Sequence, residues 1–210
     1  MSQNLKTVLL ATTNAGKRAE FRRLLPPDIQ VLTLDDLGLT LPPEDGTTFA
    51  ETASAKARFA AGRAAMLAIA DDSGLEVDAL GGAPGLHSAR YAGDGASDVS
   101  NREKLLTALR DVPDPERTAR FRCAVAMADA SGLVAVAEGT CEGVITTSPV
   151  GEHGFGYDPL FRLSCGRTMA ELLPEEKNQI SHRAKAYQAV LPALLSMLAP
   201  TTDPRHGGSR

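Results

Sequence analysis

The 210-residue chain has no tryptophan, and aromatic residues make up only 4% of it. Its core must therefore be built from Leu, Val, Ile and abundant Ala, which favours close packing of helix on sheet over the aromatic platforms on which single-stranded nucleic acids stack. Cysteine is scarce as well. Cys123, Cys141 and Cys165 are widely spaced, odd in number and outside any CxxC arrangement, so they suggest neither a disulfide framework nor a zinc cluster, and read as small thiols in a reducing compartment. No apolar run approaches the roughly 18 residues that a membrane span needs, and the first apolar run is too short for a signal peptide; the expected location is the cytoplasm, with no membrane partner. A strong excess of charge is also missing. A formal charge of -4 and a pI near 5.6 give no general attraction to nucleic acid, so no nucleic-acid polymer is expected as a partner. What is present, 43% hydrophobic and 23% charged residues, describes one sizeable domain or two small lobes around a continuous core, and excludes disorder or fibre as the main state.

Along the chain, the run from Lys6 to Ala11 reads as a strand, the polar cluster Thr12 to Gly16 as a loop, and Lys17 to Leu25 as a helix ended by Pro26 and Pro27. Ile29 to Leu34 forms a second strand. LPPEDG at Leu41 to Gly46 is a turn, and Thr47 or Thr48 caps an Ala-rich helix from about Phe49 to Met66. Leu67 to Ala70 then places Asp71 and Asp72 at the end of a buried apolar strand. Gly81 to Gly95 reads as an ordered loop and Ser97 to Arg110 as a helix. Arg120 to Asp129 and Leu133 to Glu138 read as a hairpin that Glu142 to Thr146 can extend. A loop over Gly151 to Asp158 precedes Pro159 to Leu163, and a final helix runs from Lys177 or Ser181 to Leu198. The chain has no internal repeat and no linker between independent halves. The expected architecture is α/β with a mixed sheet, in two lobes around a cleft: one domain over residues 1–199, followed by a disordered tail over 200–210.

Three constellations can carry chemistry. The first is TTNAGK, Thr12, Thr13, Asn14, Ala15, Gly16 and Lys17, where small residues between a strand and a helix can present N–H groups to an anion, with Lys17 adding a point charge. It is not a Walker A loop, since Ala11 holds the first glycine position and Arg18 follows the lysine; a solvated loop with a helix-capping Asn14 reads it equally well. The second is Glu44, Asp71 and Asp72. Mg2+ takes hard oxygen ligands and often uses one or two carboxylates plus phosphates and waters. Side chains alternate along a strand, so one of the two adjacent acids faces a given ligand and the other accepts local hydrogen bonds. DDSG is also a good turn sequence, which leaves a simple turn cap open. The third is Gly154, Phe155, Gly156, Tyr157 and Asp158, followed by Lys177, Ser181, His182 and Arg183: an aromatic for a planar base, and donors for a carbonyl oxygen on it. Phe155 in the core, and Ser181 to Arg183 as the polar start of a helix, fit these residues too. His87, His153 and His206 have no partner at metal-ligand spacing and receive no role.

The order of motifs carries more than any one of them. TTNAGKRAEF at 12–21, PEDGTTFAETASAKA at 43–57, ADDSGLEVDALGGAPGLHSARYAG at 70–93, GFGYDPLF at 154–161 and EEKNQISHRAKA at 175–186 together closely resemble the Ham1/RdgB-type family of inosine and xanthosine triphosphate pyrophosphatases. The resemblance extends to about Leu198. It implies an elongated central mixed sheet flanked by helices, two lobes with the active-site cleft between them, and a homodimer. It implies a Mg2+-dependent hydrolase that removes deaminated purine nucleotides, dITP, ITP and XTP, by cleavage to monophosphate and pyrophosphate. By position, Thr12, Asn14 and Lys17 would hold the triphosphate, with the loop residues Thr13, Ala15 and Gly16 and with Lys56. Glu44 and Asp72 would coordinate Mg2+, with Asp72 also the proton acceptor towards water, and Ser73 would border the substrate. Phe155, Gly156, Tyr157 and Asp158 would form the base pocket, Lys177 would support the nucleotide, and His182 and Arg183 would meet the oxo edge of the base. Thr13 stands where many relatives have Gly, and Tyr157 where Trp can stand. The competing readings are a Maf-type pyrophosphatase, a nucleotide sensor without turnover, and a nucleic-acid binder.

Overall fold

The computed structural model describes residues 6–199; the tail expected to be disordered, 200–210, lies outside the described residues. Among the described residues five α-helices flank a single six-stranded mixed sheet. β1 (Lys6–Leu10), α1 (Ala15–Leu24) and β2 (Ile29–Thr33) make a parallel β-α-β unit. α2 (Phe49–Ala64) leads to β3 (Ala68–Val77), and after a loop come α3 (Asp98–Ala108) and the long hairpin of β4 (Thr118–Asp129) and β5 (Gly132–Ile145). β6 (Phe161–Arg162) closes the edge before α4 (Pro174–Ile180) and α5 (His182–Met197). The strand order is β2-β1-β3-β4-β5-β6, with β1 parallel to both neighbours and the remaining pairs antiparallel. Among the described residues no helix is long and apolar enough to cross a membrane.

Alternation along β3 divides the molecule. Ala68 and Ala70 pack with Ala124, Ala126 and Ala128 of β4 beneath α2, whose buried stripe is Phe49, Thr52, Ala53, Lys56, Ala57, Ala60 and Ala61. Spacing of three and four places this stripe on one side of the helix. With alanine on both surfaces, helix and sheet approach closely, and a larger side chain such as Ala57→Leu would overpack the seam at a cost of about 1–3 kcal/mol. Ile69 points the other way, into a core of Val8, Leu10 and Phe21 below α1 and Tyr187, Val190 and Leu194 of α5. A third core, around Leu75, Val77, Leu105, Phe121 and Phe161, fills the far end of β3 and holds α3. Cys123 and Cys141 are buried small side chains and Cys165 is exposed; all three are free.

One sequence expectation is corrected and two are refined. Asp71 and Asp72 do not end a strand, nor does DDSG form a turn: β3 continues to Val77 because β4 pairs with it throughout, Asp71 opposite Val125 and Asp72 opposite Ala124. Only β1 stops there, its last partnership being Leu10 with Ile69. Glu142 to Thr146 does extend the hairpin, as far as Ile145, with β5 running unbroken through Gly139. Gly139 sits inside the strand because α5 crosses it there: a Cβ at that position would fall 2.2 Å from the carbonyl oxygen of His182. Finally, the two starts offered for the C-terminal helix belong to two helices: Lys177 lies in α4, and the long helix begins at Ser181 as its cap. Ser181 adopts an extended conformation and its Oγ accepts from the N–H of Ala184 at 3.2 Å, capping α5 and turning its first residues, His182 and Arg183, towards the sheet.

Candidate active site

The connection from β1 goes to β2 on one side, through α1, while β3 pairs on the other side of β1. In open α/β sheets a crevice forms at such a divergence, outside the carboxyl ends of the strands. Thr12 to Lys17 lies there. Asn14 caps α1, its Oδ1 accepting from the N–H of Lys17 at 2.9 Å, and the Thr12 hydroxyl accepts from the N–H of Asn14 at 3.3 Å. The positive end of the α1 dipole therefore faces the crevice, in keeping with anion binding. Ala15 and Gly16 form the first helical turn, and the exposed Thr13 borders a neighbouring hollow with Glu44 and Arg90.

Asp71 and Asp72, just past the end of β1, point to opposite faces and take different partners. Lys17 Nζ at 3.1 Å and Arg183 Nε at 3.0 Å share Oδ2 of Asp71. Burial opposes the charge on Asp71, but the two cations outweigh it and hold the carboxyl well below the usual range. Asp72 faces α2, where Lys56 Nζ lies 3.3 Å from its Oδ1 and also contacts Glu44. Here burial prevails over Lys56, and the carboxyl is raised above its ordinary value. Two carboxylates from separate segments, Glu44 and Asp72, thus converge on one ammonium, a pair of hard oxygen donors of the kind that hold a divalent cation together with phosphate and water. Among the described residues no cluster of three or more His, Cys, Asp or Glu forms a complete protein cage.

Beside this cluster opens a cavity of about 260 Å³ that Asn14 and Lys17 also line. Phe155 forms one wall, with Lys177 Nζ 5.2 Å and the Arg183 guanidinium 5.8 Å from its ring centre. The Phe155 to Asp158 turn is fastened by the buried Asp158, which accepts from the N–H of Phe155 at 2.9 Å and pairs with Lys177. Tyr157 is more buried than its assigned place in the base pocket suggests: its hydroxyl donates to the Ser88 carbonyl at 2.8 Å and its ring joins the core around Leu160. Ser73 accepts from Arg183 Nη2 at 2.8 Å. Arg183 spends three of its five N–H donors on Asp71, Glu20 and Ser73, which leaves two for a ligand. His182 is buried and stacks on Phe121 at 4.8 Å with 13° between the planes. Burial, and then Arg183, drive its pKa well below the ordinary 6.5, so the ring is neutral and offers one donor and one acceptor.

Of the residues singled out in the sequence, Asn14, Lys17, Ser73, Lys177, His182, Arg183 and the Phe155 to Asp158 turn line one cavity, Glu44 and Asp72 meet at Lys56 beside it, and Thr13 borders a separate hollow; a residue passed over in the sequence joins them. Glu20, on α1 three residues after Lys17, is 6% exposed; Lys177 Nζ lies 2.7 Å from its Oε1 and Arg183 contacts its Oε2. Among Arg18, Arg22 and Arg23 it looks in sequence like one charge of a solvated face. Its i, i+3 spacing from Lys17 was the available sign.

A model of the Ham1 family matches residues 8–193. The chain belongs to the Ham1 family. Among its Ham1 relatives, a dITP/XTP pyrophosphatase of Geobacillus kaustophilus is 54% identical over 185 residues, covering 87% of this chain and 91% of the relative. A dITP/XTP pyrophosphatase of Escherichia coli (strain K12) is 48% identical over 196 residues, 90% of this chain and 98% of the relative. The solved HAM1 protein from Coxiella burnetii superposes with a TM-score of 0.81 at 40% identity, over 91% of this chain and 99% of that one. The Ham1 fold and the mixed sheet with flanking helices agree with the sequence expectation.

Proposed function

We propose that this Ham1 chain is a nucleoside triphosphate pyrophosphohydrolase that removes dITP, ITP and XTP by hydrolysis to the monophosphate and pyrophosphate. The observation that carries the reading is the junction at Asn14 and Lys17: both line the cavity formed by Phe155, Lys177, His182 and Arg183, and Lys17 pairs with Asp71, next in β3 to the Asp72 that Lys56 holds. Such a junction suits a ligand with a triphosphate at one end and a planar, oxo-bearing base at the other. The names of the relatives from Geobacillus kaustophilus and Escherichia coli support the same substrate class.

In this reading Lys17, Lys56 and the N–H groups at the head of α1 hold the phosphates and take up the charge of the departing pyrophosphate. Glu44 and Asp72 would hold Mg2+, which when bound neutralises charge on the triphosphate. Asp72 orients a water and accepts its proton as the oxygen attacks the α-phosphorus; the bond to the bridging oxygen breaks and pyrophosphate leaves. At the other end Phe155 stacks on the base while Arg183, Lys177 and neutral His182 present donors to the 6-oxo group. Adenine, with a 6-amino group, meets donors with donors and is disfavoured. The same family reading makes the protein a cytoplasmic homodimer, which sedimentation of the full chain checks.

The deciding experiment is a turnover panel of purine triphosphates with Mg2+ and with chelator, reading phosphate and pyrophosphate separately. Pyrophosphate from dITP and XTP is the expected result. A preference for pyrimidine triphosphates would favour a Maf-type enzyme, and binding with no release a sensor.

A further inference from the structure

The segment Gly81 to Arg90 belongs to the longest of the sequence motifs, yet it has no task in the reaction proposed above. It ends in a 3₁₀ turn, Gly85–Arg90, that other segments hold from both sides. Ser88 is buried, its Oγ accepting the N–H of Leu75 at 2.9 Å and donating to the Gly85 carbonyl at 2.6 Å. Asn101 of α3 donates from Nδ2 to the Ala89 carbonyl at 3.1 Å and accepts the N–H of Ala92 at 2.8 Å, so one buried amide brackets the backbone of Arg90. The long side chain of Arg90 therefore starts from a fixed origin.

From there Arg90 Nη1 reaches Oε2 of Glu44 at 3.5 Å, 46 residues earlier in the chain. Its guanidinium makes no other hydrogen bond among the described residues, which leaves four of its five N–H donors open. The other two cations at the phosphate end are committed, Lys17 to Asp71 and Lys56 to both Glu44 and Asp72. Arg90 is 40% exposed and lines a hollow of about 450 Å³ with Thr13 and Glu44. Asp94, the other carboxylate of this hollow, is exposed, so water and salt screen it.

The order of groups gives the hollow its place along a bound triphosphate. Thr13 on its border precedes Asn14, which lines the base cavity, and Glu44 on the same border meets Lys56 beside Asp72. With the base against Phe155 and the α-phosphorus at Asp72, the β- and γ-phosphates extend past Glu44 to the side where Arg90 stands. A planar guanidinium can donate to two phosphate oxygens at once, which an ammonium does not match in geometry.

Resting on the pyrophosphohydrolase reading, we infer that Arg90 is a further catalytic residue, one that grips the β- and γ-phosphates and stabilises the pyrophosphate as it departs. The electron pair of the breaking P–O bond stays on the bridging oxygen, and the charge that grows on the leaving group meets donors that no carboxylate of the site has saturated.

The test is steady-state kinetics of the full-length protein, Arg90→Ala and Arg90→Lys with dITP, together with calorimetric binding of each product, pyrophosphate and dIMP. Arg90→Ala should lower kcat/KM for dITP about 10- to 100-fold. It should weaken binding of pyrophosphate about tenfold and leave that of dIMP, which does not extend into the hollow, within about twofold. The Mg2+ concentration for half-maximal rate should move less than about threefold. Arg90→Lys keeps the charge without the planar fork and should recover part of the loss. A folded Arg90→Ala with kcat/KM within about threefold of the unaltered protein overturns the proposal, as does equal weakening of both products. A Mg2+ requirement raised in step with the lost activity also overturns it, and assigns Arg90 to the support of Glu44. If Arg90→Ala does not fold, Arg90→Gln decides by the same comparison of products, and loss of fold in both would give the residue a purely structural role. Failure of the unaltered protein to release pyrophosphate from dITP would instead overturn the functional reading itself.

Discussion

Gly16 lies directly beneath the ring of Phe155: a Cβ at Gly16 would fall 2.5 Å from that ring. The first turn of the phosphate-facing helix thus touches the wall of the base cavity, and the missing side chain is what lets them meet. Gly16→Ala should push Phe155 into the cavity. A rise of about tenfold in KM for dITP with a smaller change in kcat is expected from steady-state kinetics, since displacements of about 1 Å at a binding wall carry such costs. An unchanged KM would show that the ring relocates freely.

Asp72→Asn keeps the shape of the side chain and removes its basicity. Pyrophosphate release from dITP should drop by about 10²–10⁴-fold, with nucleotide binding, read by calorimetry, retained. Turnover within a few-fold of the unaltered enzyme would remove Asp72 from its role as proton acceptor.

Chelation of divalent ions should abolish turnover and leave the fold intact. Lys56 already bridges Glu44 and Asp72 and offsets the repulsion between the paired carboxylates when no cation is added. The thermal midpoint with chelator should stay within about 2 °C of that with Mg2+ in the absence of nucleotide, a change below about 1 kcal/mol. A collapse of the midpoint would mean that the metal is structural.

Acid should weaken the protein through His182. Its folded pKa lies well below the ordinary 6.5, held there by burial, then by Arg183 and Lys177, against a small opposing pull from Asp71. Below that ordinary value the unfolded state binds a proton that the folded state refuses, so the contribution is complete above about pH 6.5 and is lost as pH falls towards the folded value. His182→Gln should flatten the decline of thermal midpoint between pH 7 and pH 5; parallel profiles for the two proteins would contradict this.

Glu20→Gln should destabilise by roughly 3–5 kcal/mol, because it leaves Arg183 and Lys177 short of a buried counter-charge. Denaturant unfolding measures it, and a loss below about 1 kcal/mol would show that water reaches these cations.

The elements with a strong pattern were legible in the sequence: the Val8, Leu9 and Leu10 run, the capping Asn14 and Thr48, and the alanine stripe of α2. Asp71 and Asp72 were harder. Their chemistry could be read from residue type, but their place in a strand comes from pairing with Val125 and Ala124, far along the chain, and from Lys17, Lys56 and Arg183 supplying the charge that a strand interior otherwise excludes. Ser181 was read in the sequence as one of two starts of the last helix, but not as the extended residue that separates two helices. Glu20 and Asn101 escaped because a polar residue on an amphipathic helix carries no local mark of whether it meets water or the backbone of another segment.

Lys17, Asp71, Arg183, Glu20, Lys177 and Asp158 follow one another through contact, positive and negative in turn, from the phosphate compartment to the base turn. The series sums to neutrality, so exchanging any single member strands an odd charge in the interior. A descendant with a different taste in bases would have to change these residues in opposite-signed couples, and the grip on phosphate would be drawn into every such step.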